Sequence, residues 1–442
     1  MPTLSERLIR LLSDAAVFSS TQLQAQLGIS QPSLSRLVGK EASKILRIGR
    51  ARSTRYALSR SIFGVQGEIP VYAIDEKGLP QQLANLHGIG CDQFYIETES
   101  TSCWLKGCDN NAMYPSLPYI FDDLRPEGFM GRQIARSFAS RLGYPADARY
   151  WSVDQVGRYL MQEGYDLPGH LILGDSALHA FQHRSLDVVD DRESEYPDRA
   201  NAILSQWQGG SSAGGEHQKF TVYTRDKGHA IVKYSPAGDS PEARRWQDLL
   251  ICEYHALSAM QQAGRATANT QLFQFSGRVF LESQRFDRVG ASGRMPMISL
   301  LAIDAEFVGL AQGWSKVMHQ MYQKKLISLD DEHDCIWNEL YGHWIGNTDM
   351  HLGNLSLAPG NTGFKLLPAY DMLPMIYAPV RGEIIERNFI LPVRPMQHLA
   401  LWQSSGEVAS GFWECIAEDQ RVSDPFRRIA EKNAARIRLN SR

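Results

Sequence analysis

Five polar features stand in a fixed order along the second half of the chain, and that order constrains the fold more than composition does. A Gly/Ser loop, QGGSSAGGEHQ (208–218), precedes a hairpin whose second strand carries Lys233. Glu253 follows on a stretch with helical apolar spacing. Asp349 then stands five residues before Asn354, and Asp371 comes 17 residues after Asn354. Glycine reaches turn conformations without a Cβ penalty, so such a loop can wrap backbone N–H groups around an oxyanion. The runs LSL and FKLLPAY, between Asn354 and Asp371, read as the two strands of a short hairpin. Each piece alone has an ordinary explanation: a linker, a solvated lysine, a helical glutamate facing water, an Asp/Asn-rich turn.

Taken together they have a shared chemistry. Phosphoryl transfer to a hydroxyl needs an acid to orient and accept its proton, and oxygen donors to hold Mg²⁺ against the phosphates. In the protein-kinase catalytic loop the acid precedes a metal-binding Asn by five residues, and a metal-binding Asp follows after a hairpin. Asp349, Asn354 and Asp371 keep that order. Lys233 is then expected to meet the phosphates of ATP and Glu253 to pair with it. Neither a GxxxxGK[ST] loop nor HRD or DFG occurs as written.

A chain of 442 residues has room for two to four domains and a large core. No apolar run approaches the ~18 residues of a membrane span, and charges run through the first residues, so neither a spanning helix nor a signal peptide is expected. Cysteines 91, 103, 108, 252, 335 and 415 form no CxxC pair. They read as reduced thiols of a cytoplasmic protein. The net charge of −3 conceals a split: residues 1–60 hold ten Lys/Arg and three Asp/Glu, net +7, leaving −10 for the rest.

That basic portion reads as helix, helix–turn–helix and basic hairpin, the order of a winged helix-turn-helix domain. In this reading Gln31, Ser33, Ser35 and Arg36 face the major groove of DNA, while Arg50, Arg52 and Arg55 on the wing meet phosphates or the minor groove. The competing reading is a helical protein-interaction module with a solvated basic face. Residues 61–200 read as strand–turn–strand (EIPVYAIDEKGLPQQLANL), a loop feeding a helix (PSLPYIFDDLRPEGFMGRQIARSFASRLG), a loop into a strand (EGYDLPGHLILGD) and an acidic connector (DVVDDRESEYPDRAN). This segment suggests no chemistry of its own. The last 180 residues are expected to be mostly helical.

The strings GNTDMHLGNLSL, AYDMLP, GSSAGGEHQKF, AIVKY, CEYHAL and QRFDRV resemble the HipA family of bacterial serine/threonine kinases, toxins of toxin–antitoxin systems. LPYIFDDLRPEGF and GYDLPGHLILGD resemble that family's N-terminal subdomain, so the resemblance spans residues 65 to 430. The leading winged helix resembles the HipH/YjjJ branch. The resemblance implies an α+β chain: a winged helix-turn-helix domain over 1–60, an N-terminal subdomain and kinase N-lobe over 61–282, and a mostly helical C-lobe over 283–442. It further implies Asp349 as catalytic base with His351 shaping its loop, and Asn354 and Asp371 as Mg²⁺ ligands. ATP would be held by Gly214, Gly215, Lys219 and Lys233, by the backbone of Gln284, Arg285 and Phe286, and by Tyr370. Ser212, or its neighbour Ser211, falls at the family's regulatory autophosphorylation position. Glu216, His217 and Gln218 depart from the family's commoner loop, and Glu216 adds negative charge beside the phosphates. Implied partners are a protein substrate, DNA through residues 1–60 and a HipB-like antitoxin; a homodimer on two half-sites stays open. In RFDR (285–288), Asp287 and Arg288 are expected to brace the hinge. His170, His179, His183, His343 and His351 lack metal-site spacing.

Overall fold

The computed structural model describes residues 2–14, 17–49, 53–205, 217–387 and 389–440. Three helices, Leu4–Asp14, Ser20–Leu27 and Gln31–Lys40, are followed by a ribbon of strands Ile45–Ile48 and Arg55–Arg60. Local chemistry sets these limits. Ser19 and Gln22 form a reciprocal capping box, and Gly28 closes the second helix in the left-handed region. Pro32 sits in the first turn of the third helix, where its missing N–H costs nothing. Leu8, Leu12, Leu23, Leu27, Leu34, Ile45 and Tyr56 make a small core of their own. Arg50 and Arg52 lie outside the described residues.

The ribbon does not end with this unit. Strand Arg55–Arg60 pairs with Ile45–Ile48 at one end, and Ser59 and Arg60 then pair with Ile89 and Gly88. It thereby joins an eight-stranded sheet that includes Ile69–Ile74, Pro80–Ile89, Gln93–Glu97 and Leu171–Leu173. Helices Gly128–Leu142 and Val153–Glu163 contribute Phe138 and Tyr159, which meet edge to face, and Trp151 packs between them.

The acidic stretch expected to be a connector is instead ordered. Val188–Val189 pairs in parallel with Tyr223 and Thr224, and Arg192–Ser205 is a helix. Asp191 and Glu195 accept the backbone N–H groups at the start of that helix. Tyr196 is buried with its hydroxyl on Glu282, and Arg192 donates to both oxygens of the same carboxylate. The acidic letters therefore serve as caps and partners rather than as solvated charge.

The N-lobe sheet runs Thr270–Phe275, Arg278–Gln284, Gly228–Tyr234, Gln218–Thr224, Val188–Val189. Helix Pro241–Gln262 packs across it, capped by Ser240. The C-lobe is built from helices Leu300–Phe307, Trp314–Gln323, Leu329–Ile345, Leu399–Glu418 and Asp424–Asn440, with a small sheet formed by Ile298–Ser299, Ser356–Pro359 and Phe364–Leu366. Trp337, Trp344, Trp402 and Trp413 are buried at its centre. Among the described residues no helix is long and apolar enough to cross a membrane.

Candidate active site

Lys219 and Lys233 lie directly opposite each other on adjacent antiparallel strands, so both side chains leave the same face of the N-lobe sheet. That face looks across at helix Pro241–Gln262. Lys233 Nζ donates to Glu253 Oε1 and Oε2 at 2.7 and 2.8 Å and to Asp371 Oδ1 at 2.5 Å. Burial alone would lower the lysine's pKa. Asp371 and Glu253 outweigh it and hold the ammonium above its usual value. Burial likewise works against the Asp371 carboxylate, yet Lys233 and Lys219 keep it below the ordinary range. The pair thus carries full charge at neutral pH.

The acids opposite are set by the end of helix Leu329–Ile345, which Gly346 stops in the left-handed region. Asn347 follows, only 3% exposed. Its Oδ1 accepts the N–H of Asp349 at 3.0 Å and its Nδ2 donates to the carbonyl of Asp371 at 3.3 Å. One amide therefore ties the two acid-bearing segments together. Asp371 itself has φ +55°, a conformation that costs a non-glycine residue about 1 kcal/mol and is retained where surroundings fix it. Asn354 donates through Nδ2 to the carbonyl of Asp349 at 2.9 Å, a bond that does not occupy its Oδ1. Nδ1 of His351 accepts the N–H of Gly353 at 3.1 Å, and Trp314 Nε1 holds the His351 carbonyl at 2.8 Å. His351 therefore shapes the turn through one ring nitrogen. Tyr370 shares a hydrogen bond with Ser356 and donates to Gly353, fixing the hairpin below the site. Burial, with Asp371 adding to it against His351, raises the half-buried Asp349 carboxyl above its usual pKa.

These groups border one cleft of about 970 Å³, which Lys219, Lys233, Asp349, Asn354, Tyr370 and Asp371 all line. Asp371 and Asn354 offer one carboxylate and one amide oxygen to this cleft, hard donors that could hold a cation such as Mg²⁺. Gly214, Gly215, Glu216, Ser211 and Ser212 lie outside the described residues.

The structure does not bring Gln284, Arg285 or Phe286 to the cleft lining. The N–H groups of Gln284 and Arg285 donate to the carbonyls of Asn269 and His229, and the Arg285 guanidinium lies on Asp287. Phe286 packs its ring near Tyr370, 5.8 Å between centroids. Asp287 also accepts from Arg288 and from the N–H of Gly169, while Arg288 reaches Asp166 and the carbonyls of Leu167 and Gly169. RFDR is thus a brace between the N-lobe and the subdomain before it, a structural role whose partners are residues 166–169. His179 and His183 stack, and the buried Nδ1 of His170 has no hydrogen-bond partner among the described residues.

Several cleft residues were not legible in the sequence. Arg132, Asp147 and Arg149 come from the segment that suggested no chemistry, and Arg387 comes from beyond Asp371. Asn347 had a visible signal, an amide inside GNTD two residues before the acid, whereas the arginines had none. In the N-terminal unit Ser35, Arg36 and Arg55 are exposed, as a contact surface requires, and Ser33 is partly so. Gln31 differs: its Oε1 accepts from Ser20 and Gln24, so the amide oxygen is engaged within the fold.

Two lobes meeting at a Lys–Glu–Asp bridge, with an Asp and an Asn on the facing loop, define a HipA-like protein-kinase fold. Residues 65–182 match the family model of the YjjJ-like toxin middle domain, and 211–438 match that of the HipA-like C-terminal domain. The chain is 34% identical over 435 residues to Toxin YjjJ of Escherichia coli (strain K12), covering 95% of each chain. This chain belongs to the HipA family, in its YjjJ-like toxin branch. Among solved structures, HipA of Shewanella oneidensis MR-1, in complex with HipB and its operator DNA, is similar with a TM-score of 0.53 at 15% identity, over 84% of this chain and 91% of that one. The Helicobacter pylori proinflammatory kinase CtkA gives a TM-score of 0.37 at 13% identity, over 53% of this chain and 91% of that one.

Proposed function

We propose that this protein is a Mg·ATP-dependent serine/threonine protein kinase that acts as a HipA-like toxin. The observation that carries this reading is Lys233 bridging Glu253 and Asp371 in the cleft that Asp349 and Asn354 also line. Glu253 aims the Lys233 ammonium, which would neutralise phosphate charge together with Lys219. Asp371 and Asn354 would hold Mg²⁺, which when bound neutralises charge on the transferring phosphoryl group. Asp349 would orient the acceptor hydroxyl in line and take its proton. Positioning and fixed charge supply the catalysis.

Autophosphorylation at Ser212, with Ser211 as the alternative, would serve as the off-switch of this reading. The test is incorporation from labelled Mg·ATP into the purified chain, mapped by mass spectrometry, beside Asp349→Asn. Label at either serine that vanishes in the variant supports the kinase. Its absence from both proteins, with ATP bound and the serines initially unmodified, overturns it.

A second role is favoured by the exposed Arg36 and Arg55 on a unit of net charge +7: DNA binding through residues 1–60, autoregulating its own expression, with or without a HipB-like antitoxin and as a monomer or homodimer. If phosphotransfer fails while DNA binding holds, the kinase-like body is a nucleotide sensor or interaction platform.

A further inference from the structure

A second cavity of about 410 Å³ opens behind the catalytic cleft, where the N-terminal part of helix Pro241–Gln262, the chain following Asp371 and helix Asp424–Asn440 converge. Its charge is one-sided. Arg245, Arg387, Lys432 and Arg436 line it, against the single carboxylate of Glu386. That surplus of three positive charges lies within the portion of the chain whose net charge is −10.

None of the four cations makes an ion pair among the described residues, although Arg427 and Arg438 on the same helix do, with Asp424 and Glu414. Two of them, Arg245 and Arg436, are oriented by hydrogen bonds without being neutralised. Arg245, only 8% exposed, donates through Nη1 to the carbonyl of Tyr377 at 2.9 Å, and its guanidinium lies over the Phe426 ring. Arg436 donates through Nη1 to the carbonyl of Phe389 at 2.9 Å. Asp248, on the same helix as Arg245, has its two oxygens engaged by the N–H and hydroxyl of Ser423. A concave site with several fixed N–H donors and an uncompensated charge suits a compact polyanion, and above all the oxygens of a phosphate group.

The cavity's position adds a consequence. Arg387 lines both this cavity and the catalytic cleft. Ala378, Pro379 and Val380 face the cleft, while Ile384, Ile385 and Glu386 face the basic cavity. One stretch of chain is therefore the partition between them.

We infer that the cavity lined by Arg245, Arg387, Lys432 and Arg436 is a second anion site, which binds a phosphomonoester or free phosphate and fixes the wall of the catalytic cleft. The inference rests on the charge and shape of this cavity and does not require phosphotransfer in the neighbouring one.

The test is calorimetric titration of the full chain with inorganic phosphate, without Mg²⁺ and at constant ionic strength set with chloride, in the wild type, Lys432→Gln and Lys219→Gln. Lys432 is exposed at the cavity rim and Lys219 reports the catalytic cleft. Loss of one charge-assisted partner should weaken phosphate binding roughly tenfold or more in Lys432→Gln and leave it unchanged in Lys219→Gln. Slower amide exchange over 378–387 on adding phosphate is expected in the wild type and in Lys219→Gln, and not in Lys432→Gln at the same phosphate concentration. The reverse pattern, binding lost with Lys219 and kept without Lys432, assigns the anion to the catalytic cleft and overturns the inference. Binding no stronger than chloride's overturns it as well. A phosphoserine peptide that binds tenfold tighter than inorganic phosphate would identify a phosphorylated protein segment as the source. Equal affinity would identify free phosphate.

Discussion

His217 meets Trp246 edge to face, with ring centroids 4.5 Å apart, immediately ahead of strand Gln218–Thr224. The imidazole lines the cleft, and its Nε2 has no hydrogen-bond partner among the described residues. Burial, with Lys233 adding to it, depresses its pKa to about 3. His170 is pulled down to about 4, by burial and then by Arg294. Both rings are therefore neutral in the folded chain at neutral pH.

Stability should respond to pH through these two rings. Below pH 6.5 the unfolded chain takes up protons that the folded chain refuses, so each ring removes stability as the pH falls from 6.5 toward its folded pKa. Between pH 6.5 and 5 this amounts to about 2 kcal/mol per ring. Asp123, raised by burial to about 6, acts in the opposite sense and adds stability as the pH falls from 6 toward 3.8. Denaturant unfolding at pH 7, 6 and 5 should show a shallower loss in His170→Phe than in the wild type. An unchanged slope would mean that His170 protonates in the fold.

Lys233 holds two carboxylates apart, so its removal should cost more than an ordinary surface charge. Lys233→Met leaves Glu253, 1% exposed, and Asp371 without the cation that bridges them, with Lys219 still nearby. A loss of about 3–5 kcal/mol is expected. The double variant Lys233→Met/Glu253→Gln should recover part of it. Chemical denaturation of the three proteins measures the coupling, and strict additivity would contradict it.

Asn347 touches neither acid's carboxylate and positions both through the backbone. Asn347→Ala should destabilise the chain by about 1–3 kcal/mol, because it unties two buried amide bonds. If the chain transfers phosphate, kcat should fall while nucleotide affinity stays close to wild type. Asp349→Asn should cost about 10²–10⁴-fold in kcat, the span of general-base contributions, with little change in stability. Single-turnover phosphate transfer beside nucleotide titration separates the two effects.

On the N-terminal unit, Arg36→Ala and Arg55→Ala should weaken DNA binding through loss of phosphate contacts. Each replacement that removes a phosphate contact should flatten the plot of log K against log salt by about 1. Anisotropy titrations of labelled duplex between low and moderate salt give this slope directly. Gln31→Ala is expected to change the helix packing through Ser20 and Gln24 more than the slope.

The placing of Asp349 and Asn354 in one cleft with Asp371 was legible because its spacing is local. Asp349 and Asn354 share one turn, and the LSL and FKLLPAY runs fall on Ser356–Pro359 and Phe364–Leu366 as a hairpin must. Lys233 and Glu253 were legible only through their order, a strand lysine after the Gly/Ser loop and a helical glutamate 20 residues on; that they face inward and pair is shown by the fold. Arg192–Ser205 was not legible, since the residues that seat it find their partner far along the chain: Arg192 and Tyr196 meet Glu282 about 90 residues later. Arg132, Arg149 and Arg387 share that difficulty. Their place in the clefts follows from how the subdomain docks, and no short window of sequence encodes that.

Strand Arg55–Arg60 belongs to the small ribbon and to the larger sheet at once. The first 60 residues are consequently not a head on a tether. Whatever surface they seat upon sets a compass bearing for the cleft, since turning one without the other would require breaking a sheet. Two copies side by side on a regular lattice of contacts would hold their openings at a fixed azimuth and separation, dictated by the lattice alone.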